Sequence, residues 1–291
     1  MKKIIQQSFK GERALFQSKD LKLIACTFDD GESPLKESRN IELVNSMMRW
    51  KYPLWYSRDV LVKDSVFTGG SRAGIWYTDN IKIINTVIDS PKNFRRCKNV
   101  ELMNVTIPDA KETFWSCIGV KLDTVSVNGD YFCMNSAKIE ADNLRLSGNY
   151  SFDGAKDLVL MNSVLVTKDA FWNSENVRVE NSWISGEYLG WNSKNLYFEN
   201  CTIESLQGLC YVDNLVMRNC RLIDTTLAFE YSNVDVEAVG DIGSVFNPSS
   251  GRIKCDSISE LIIEEGRVES FKTAIECDNI GARLDKPEWI K

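Results

Sequence analysis

Residues 173–191 read N-S-E-N-V-R-V-E-N-S-W-I-S-G-E-Y-L-G-W, and residues 192–210 read N-S-K-N-L-Y-F-E-N-C-T-I-E-S-L-Q-G-L-C. The second stretch restates the first with the same spacing of Asn, β-branched and small residues. A period near twenty residues, carrying short apolar runs closed by Asn and Gly, marks a solenoid whose repeats bury their cores only by stacking. Working outward, the polar residue that opens each apolar run recurs every 19 to 21 positions, from Asp20, Asn40 and Asp59 to Asn195, Asn214 and Asn233. About twelve such coils are expected.

Sorted by column, each coil has assigned parts. Apolar residues stand one and three positions after the anchor, as Val177 and Val179 or Leu196 and Phe198, with polar residues between them. That alternation is a half-buried strand. Five positions after the anchor stands a recurrent Asn, among them Asn45, Asn85, Asn104, Asn143, Asn162, Asn181, Asn200 and Asn219. Asn tolerates left-handed backbone, so this column reads as a stacked turn ladder. Two positions before the anchor lies a small-residue column, including Ser38, Ser57, Thr78, Cys97, Cys117, Ser174 and Ser193, which reads as a bend without room for bulk. Cys97 and Cys117, like Cys201 and Cys220, fall in matching columns of successive coils, and free thiols are the expectation for them.

Ahead of the bend runs an aromatic segment. Leu54, Ile75, Phe94, Phe114, Cys133, Phe152, Phe171 and Leu209 form an apolar column broken at Gly190, the best core candidate. If it points inward, strand alternation turns the next column outward: Trp55, Trp76, Arg95, Trp115, Met134, Asp153, Trp172, Trp191, Cys210 and Phe229. One position further are Tyr56, Tyr77, Arg96, Ser116, Asn135, Asn173, Asn192, Tyr211 and Glu230. The expected fold is therefore all-β, a single-stranded right-handed parallel β-helix. Its boundaries are one domain over 1–291, with a cap and first coil at 1–19, regular coils at 20–237 and less regular coils with a cap at 238–291.

Composition narrows the chemistry. The chain has no His, which removes Ser-His-Asp and Cys-His catalysis and every imidazole metal site. Its nine Cys include no C-x-x-C pair, and Asp29-Asp30-Gly31-Glu32 lacks the spacing of a calcium loop, so no metal and no cofactor are expected. A net charge of −6 argues against nucleic acid. The N-terminus reaches polar residues before any apolar leader forms, and no run approaches spanning length, so a cytoplasmic protein without membrane association is the expectation.

The aromatic face exceeds what a coil needs. Trp55, Tyr56, Trp76, Tyr77, Arg95, Arg96, Trp115, Asn135, Trp172, Asn173, Trp191, Asn192 and Tyr211 combine flat rings with amide and guanidinium groups, which suits a sugar chain. The alternative is that loops fold over the Trp column and make a second dry core. On the adjoining rim Asp169 and Glu187 occupy neighbouring coils, and Asp153 stands on the face, so two carboxylates of a glycoside hydrolase have a place. Arg95, Arg96 and Lys92 instead suit the carboxylate of a uronate, the lyase arrangement. The leading expectation is binding or processing of a glycan or uronate-containing saccharide; the competing one is a non-catalytic scaffold that docks a protein or a second copy of itself. The oligomeric state is left open.

Five segments carry a resemblance: G-E-R-A-L-F at 11–16, D-G-E-S-P-L-K-E at 30–37, W-K-Y-P-L-W-Y at 50–56, K-D-A-F-W-N at 168–173 and G-E-Y-L-G-W-N-S at 186–193. With them the chain resembles an uncharacterised bacterial family of right-handed parallel β-helix proteins in the pectin-lyase-like group. The group includes pectate lyases, polygalacturonases and pectin methylesterases, which implies carbohydrate substrates by analogy of fold. Their paired aspartates and calcium ligands have no counterpart here, so the resemblance implies no catalytic residue.

Overall fold

A computed structural model describes residues 1–286 of the chain. They form two compact units, Met1–Gly148 and the described residues from Asn149 onward. Both are stacks of parallel β coils, and counted over the two units the turns number about 15 with a repeat of roughly 19 residues.

In the first unit the strands Lys19–Ile24, Arg39–Val44, Arg58–Lys63, Asp79–Ile88, Lys98–Ile107, Ile118–Asn128 and Ala137–Ser147 pair in parallel, each with its sequence neighbour. In the second, Lys156–Met161, Glu175–Glu180, Lys194–Glu199 and Asp213–Thr226 do the same. The register repeats without slip where the sequence period is constant. Val177 pairs with Leu196 and Leu196 with Leu215, all three buried. An inward side chain thus always meets its own kind one coil away, and each fully buried Leu or Val contributes on the order of 1.5–3 kcal/mol.

About twelve coils were expected, and the turns beyond that number lie at the two ends, where a first coil at 1–19 and less regular coils at 238–291 were expected. Lys2–Ile5 already forms a strand, paired with Leu21 to Ile24. Beyond Asn233 the coils lose the common period: 17 residues separate the paired Asn233 and Ser250, and 22 separate Gly251 and Thr273. A second, smaller parallel sheet of Asp241–Phe246, Ser257–Ile262 and Asn279–Leu284 accompanies them. A search for one fixed period is blind to such coils, although their cores, with Ile253, Ile258 and Leu261, are equally buried.

The aromatic segment is a turn and not a strand. In residues 186–193 the backbone is left-handed at Tyr188, Gly190 and Asn192, with φ of 56°, 72° and 55°, and again at Asn195 and Asn200. Such φ values are unfavourable for bulky side chains, by roughly 1 kcal/mol each. Hydrogen bonds to neighbouring coils offset the cost: Tyr188 N donates to Leu206 O at 2.9 Å, and Gly190 N to Ala170 O at 2.8 Å. Both Ala170 and Phe171 are buried and Trp172 is half-buried, so burial here does not alternate as in a strand. The core column is Phe-rich and stacked, with Phe94 and Phe114 at 4.4 Å in the first unit and Phe152 and Phe171 at 5.4 Å in the second. At Gly190 the missing ring is replaced by Leu196 and Leu209, whose methyl groups lie 2.9 and 3.3 Å from where a Cβ would be.

The small-residue column is a hydrogen-bond relay rather than a steric gap. Ser57 Oγ donates to Leu35 O at 2.8 Å, Ser136 Oγ to Phe114 O at 2.6 Å and Ser174 Oγ to Phe152 O at 2.7 Å, each satisfying a buried carbonyl of the preceding coil, 22 residues back. Cys97 and Cys117 substitute as weaker donors, to Ile75 O and Phe94 O, and both thiols are free. Outside, side-chain amides bridge coils in two columns. Asn195 donates to Asn176 and Asn214 to Asn195, each at 2.9 Å, while Asn200 donates to Asn181 at 3.1 Å and Asn219 to Asn200 at 2.7 Å.

Candidate functional site

All five Trp residues of the aromatic register are tied to the rim. Each indole has one donor, and each gives it to a main-chain carbonyl further along the chain, eighteen positions on for Trp55 to Ala73 O and sixteen on for Trp76 to Lys92 O, Trp115 to Tyr131 O, Trp172 to Tyr188 O and Trp191 to Gln207 O, at 2.5 to 3.0 Å. The rings stack on one another along the coil axis, Trp55 on Trp76 at 5.1 Å and Trp172 on Trp191 at 5.8 Å. The column is therefore neither an open cleft nor a covered core. Ring faces are taken up by other rings or by the Arg95 guanidinium, and all five indoles are half-buried.

Arg95 belongs to the same stack. Its guanidinium lies 4.5 Å from the Trp76 ring centre and 4.7 Å from that of Trp115, an arrangement that a planar cation makes and an ammonium does not. Glu112 pairs with both Arg95, at 3.4 Å, and Lys92, at 3.2 Å. Arg96 is exposed, as are Asn135, Asn173 and Asn192. Tyr56 and Tyr77 stack at 4.7 Å beside the Trp ladder, with Tyr56 the more exposed.

The three candidate carboxylates have different surroundings. Asp153 accepts a hydrogen bond from Asn173 Nδ2 at 3.0 Å. Glu187 pairs with Lys168 at 2.8 Å, and that Lys also lies 5.1 Å from the Tyr188 ring centre. Asp169 is only 2 % exposed; burial pushes its carboxyl up from the usual range, against the opposing pull of Lys168 and a hydrogen bond from Tyr150. Asp169 and Glu187 are joined through the main chain, Asp169 N to Glu187 O at 2.9 Å.

A fourth arrangement appears where the indole column of the second unit ends. Sequence spacing put Phe229 in the Trp column and Glu230 in the outer one. In the structure Phe229 is fully buried and its N–H bonds to Gly208 O, the core-column pattern; Glu230 takes the Trp position and Tyr231 the outer one. The reason is one residue fewer between Ser232 and the following strand. Ser232 Oγ accepts from Val212 N, twenty residues away, whereas Asn233 follows Asn214 by nineteen. That mismatch between two columns was the available signal.

Here Trp191, Tyr211 and Tyr231 form a strip, with ring centres 5.3 and 5.6 Å apart. Tyr211 is 39 % exposed. The small, buried Cys210 fills the Trp position between Trp191 and Glu230. Burial raises the Glu230 carboxyl, a hydrogen bond with Tyr211 opposes the rise, and Glu264 adds to it. The Tyr211 phenol is itself pushed up to about 12, by burial first and then by the charge of Glu230. Asn247, fully buried, fixes Glu264 by donating to Oε2 at 2.7 Å and accepting from its N–H at 2.9 Å. Beside Tyr231 opens a cavity of about 350 Å³ whose lining includes Ser249, Arg267, Glu269 and Lys272. Among the described residues no cluster of three or more Cys, Asp or Glu is set to hold a metal ion.

Residues 2–276 match the model of the family described as Protein of unknown function (DUF3737). The chain belongs to that family. No curated protein matches it by sequence. Among solved structures it is similar to the tailspike protein of E. coli bacteriophage HK620 in complex with pentasaccharide, at 10% identity over 96% of this chain and 72% of that chain, with a TM-score of 0.37. It is also similar to the A-module of the mannuronan C-5 epimerase AlgE4 of Azotobacter vinelandii, at 10% identity over 97% of this chain and 88% of that chain, with a TM-score of 0.31. Among its described residues, this member of the family has no helix long and apolar enough to cross a membrane.

Proposed function

We propose that this protein binds a saccharide, and that the ligand sits in the second unit where the Trp ladder gives way to Tyr211, Glu230 and Tyr231. The observation that carries this reading is the half-buried carboxyl of Glu230 in the indole register, set against the exposed Tyr211; the other carboxyl of that register, Asp153, is taken up by Asn173. Everywhere else the ladder satisfies itself; here it offers a ring edge, a phenol and a carboxyl beside a cavity. Rings with convergent polar groups are how proteins hold sugars in concave sites. Lys272 on the cavity wall is paired with Glu269 at 3.1 Å, and Arg267 is the cation there that favours an acidic sugar. A carboxyl held toward its neutral form is also a proton donor, so a hydrolase or lyase activity would draw on Glu230.

Glycan-array screening followed by titration of Tyr211→Ala and Glu230→Gln tests the reading. Loss of binding with an unchanged melting curve supports it; full binding by both variants overturns it. The scaffold reading is favoured by a separate observation, the self-satisfied Trp donors, and gains if no glycan binds.

A further inference from the structure

A second site follows from a missing side chain in the first unit. Along the anchor column, amides bridge successive coils: Asn80 Nδ2 donates to Asp59 Oδ1 and Asn99 Nδ2 to Asn80 Oδ1, both at 2.9 Å. The next position is Gly119, and the chain of amides stops there. A left-handed backbone does not explain the glycine. Its φ of 74° is close to those of Asp59, Asn80, Asn99 and Lys138 in the same column, 55° to 56°, where side chains are accepted. What the glycine provides is space: a Cβ at 119 would stand 2.9 Å from Asn99 Oδ1. A cavity of about 460 Å³ opens at this point, lined by Asn80, Asn99, Gly119, Lys82, Glu101 and Lys121.

The walls describe the occupant. Lys82 pairs with Glu101 at 2.5 Å and Lys121 with Glu140 at 3.2 Å, so the cations already have partners and the cavity suits an uncharged ligand. Asn99 Oδ1 faces the vacant rung and calls for an N–H donor. We infer that the Gly119 gap is a subsite for the acetamido group of an N-acetylated sugar, with its N–H on Asn99 Oδ1. The volume accommodates a mono- or disaccharide.

The inference concerns a different unit from the Tyr211 and Glu230 site, so either can fail alone. Its test is titration of the full chain with N,N′-diacetylchitobiose, with the deacetylated dimer and with a short asparaginamide peptide as comparisons, followed by the NMR signals of the Asn99 side-chain amide. Binding of the acetylated dimer at least tenfold tighter than either comparison, with the Asn99 signals shifting, is expected. Gly119→Asn should weaken it at least tenfold while holding or raising the melting temperature, because the new amide completes the ladder. Absence of binding, equal binding of the deacetylated dimer or the peptide, or unchanged binding by a folded Gly119→Asn variant overturns the inference.

Discussion

Trp191 stacks on Trp172 with 13° between ring planes, and its indole N–H donates to Gln207 O at 2.6 Å. One side chain thus joins the stack and closes the rim of the following coil. Sugar-binding rings are usually kept free for the ligand; these are committed to the fold.

Trp191→Ala should accordingly cost stability, whatever it does to binding. The loss of a half-buried indole, its stacking and its hydrogen bond is expected at about 3 kcal/mol, read as a shift in urea midpoint without a change of slope. A variant as stable as the parent would mean that the ladder is ornamental.

Arg95→Lys removes the planar cation from between Trp76 and Trp115 while keeping the charge near Glu112. About 1–2 kcal/mol of destabilisation is expected, and Arg95→Met should recover part of the packing. Equal stability of Arg95→Lys and the parent would show that charge alone matters at this position.

Gly251 has φ of 111°, and a Cβ there would lie 1.8 Å from Val234 O. Gly251→Ala is expected to cost on the order of 3 kcal/mol or more, since a main-chain atom cannot step aside as a side chain does. Circular dichroism melting decides it, with Gly240→Ala, whose nearest obstacle is the end of Arg221, as the milder comparison.

Asp169 carries a pH dependence whose sign follows from its raised carboxyl. Its contribution to stability is full below the ordinary Asp range, where the group is protonated both folded and unfolded, and is lost as pH rises through the folded-state value. Asp169→Asn should therefore be more stable than the parent at pH 7, with the gap narrowing toward pH 3. A gap that widens on acidification would refute the assignment.

Tyr211 should titrate near 12, and Glu230→Gln should bring it down, though burial will keep it above the usual phenol range. The ring-carbon NMR shift of Tyr211 reports this. An unchanged titration in the Gln variant would remove Glu230 from the pair and with it the main support for the proposed site.

Much of this was legible in the sequence because a solenoid is nearly one-dimensional. Each residue of the regular coils meets its equivalent one repeat away, so a column read from spacing is also a column in space; Val177, Leu196 and Leu215, or Phe152 and Phe171, needed no further information. The same logic fails wherever the period changes. Phe229, Glu230 and Tyr231 moved by one column because a single residue is missing before the strand Asn233–Ala238, and the coils beyond it escaped the count.

What the sequence by itself determined is the parallel β coil, its inward columns and the coil-by-coil stacking of Trp, Phe and Asn, since these follow from spacing and burial preference alone. Only the tertiary structure decided which polar groups are spent. An indole N–H bound sixteen residues ahead, a guanidinium between two indoles, and a carboxyl set in an aromatic register depend on how turns with alternating left-handed residues aim their side chains and carbonyls, and spacing does not encode that direction.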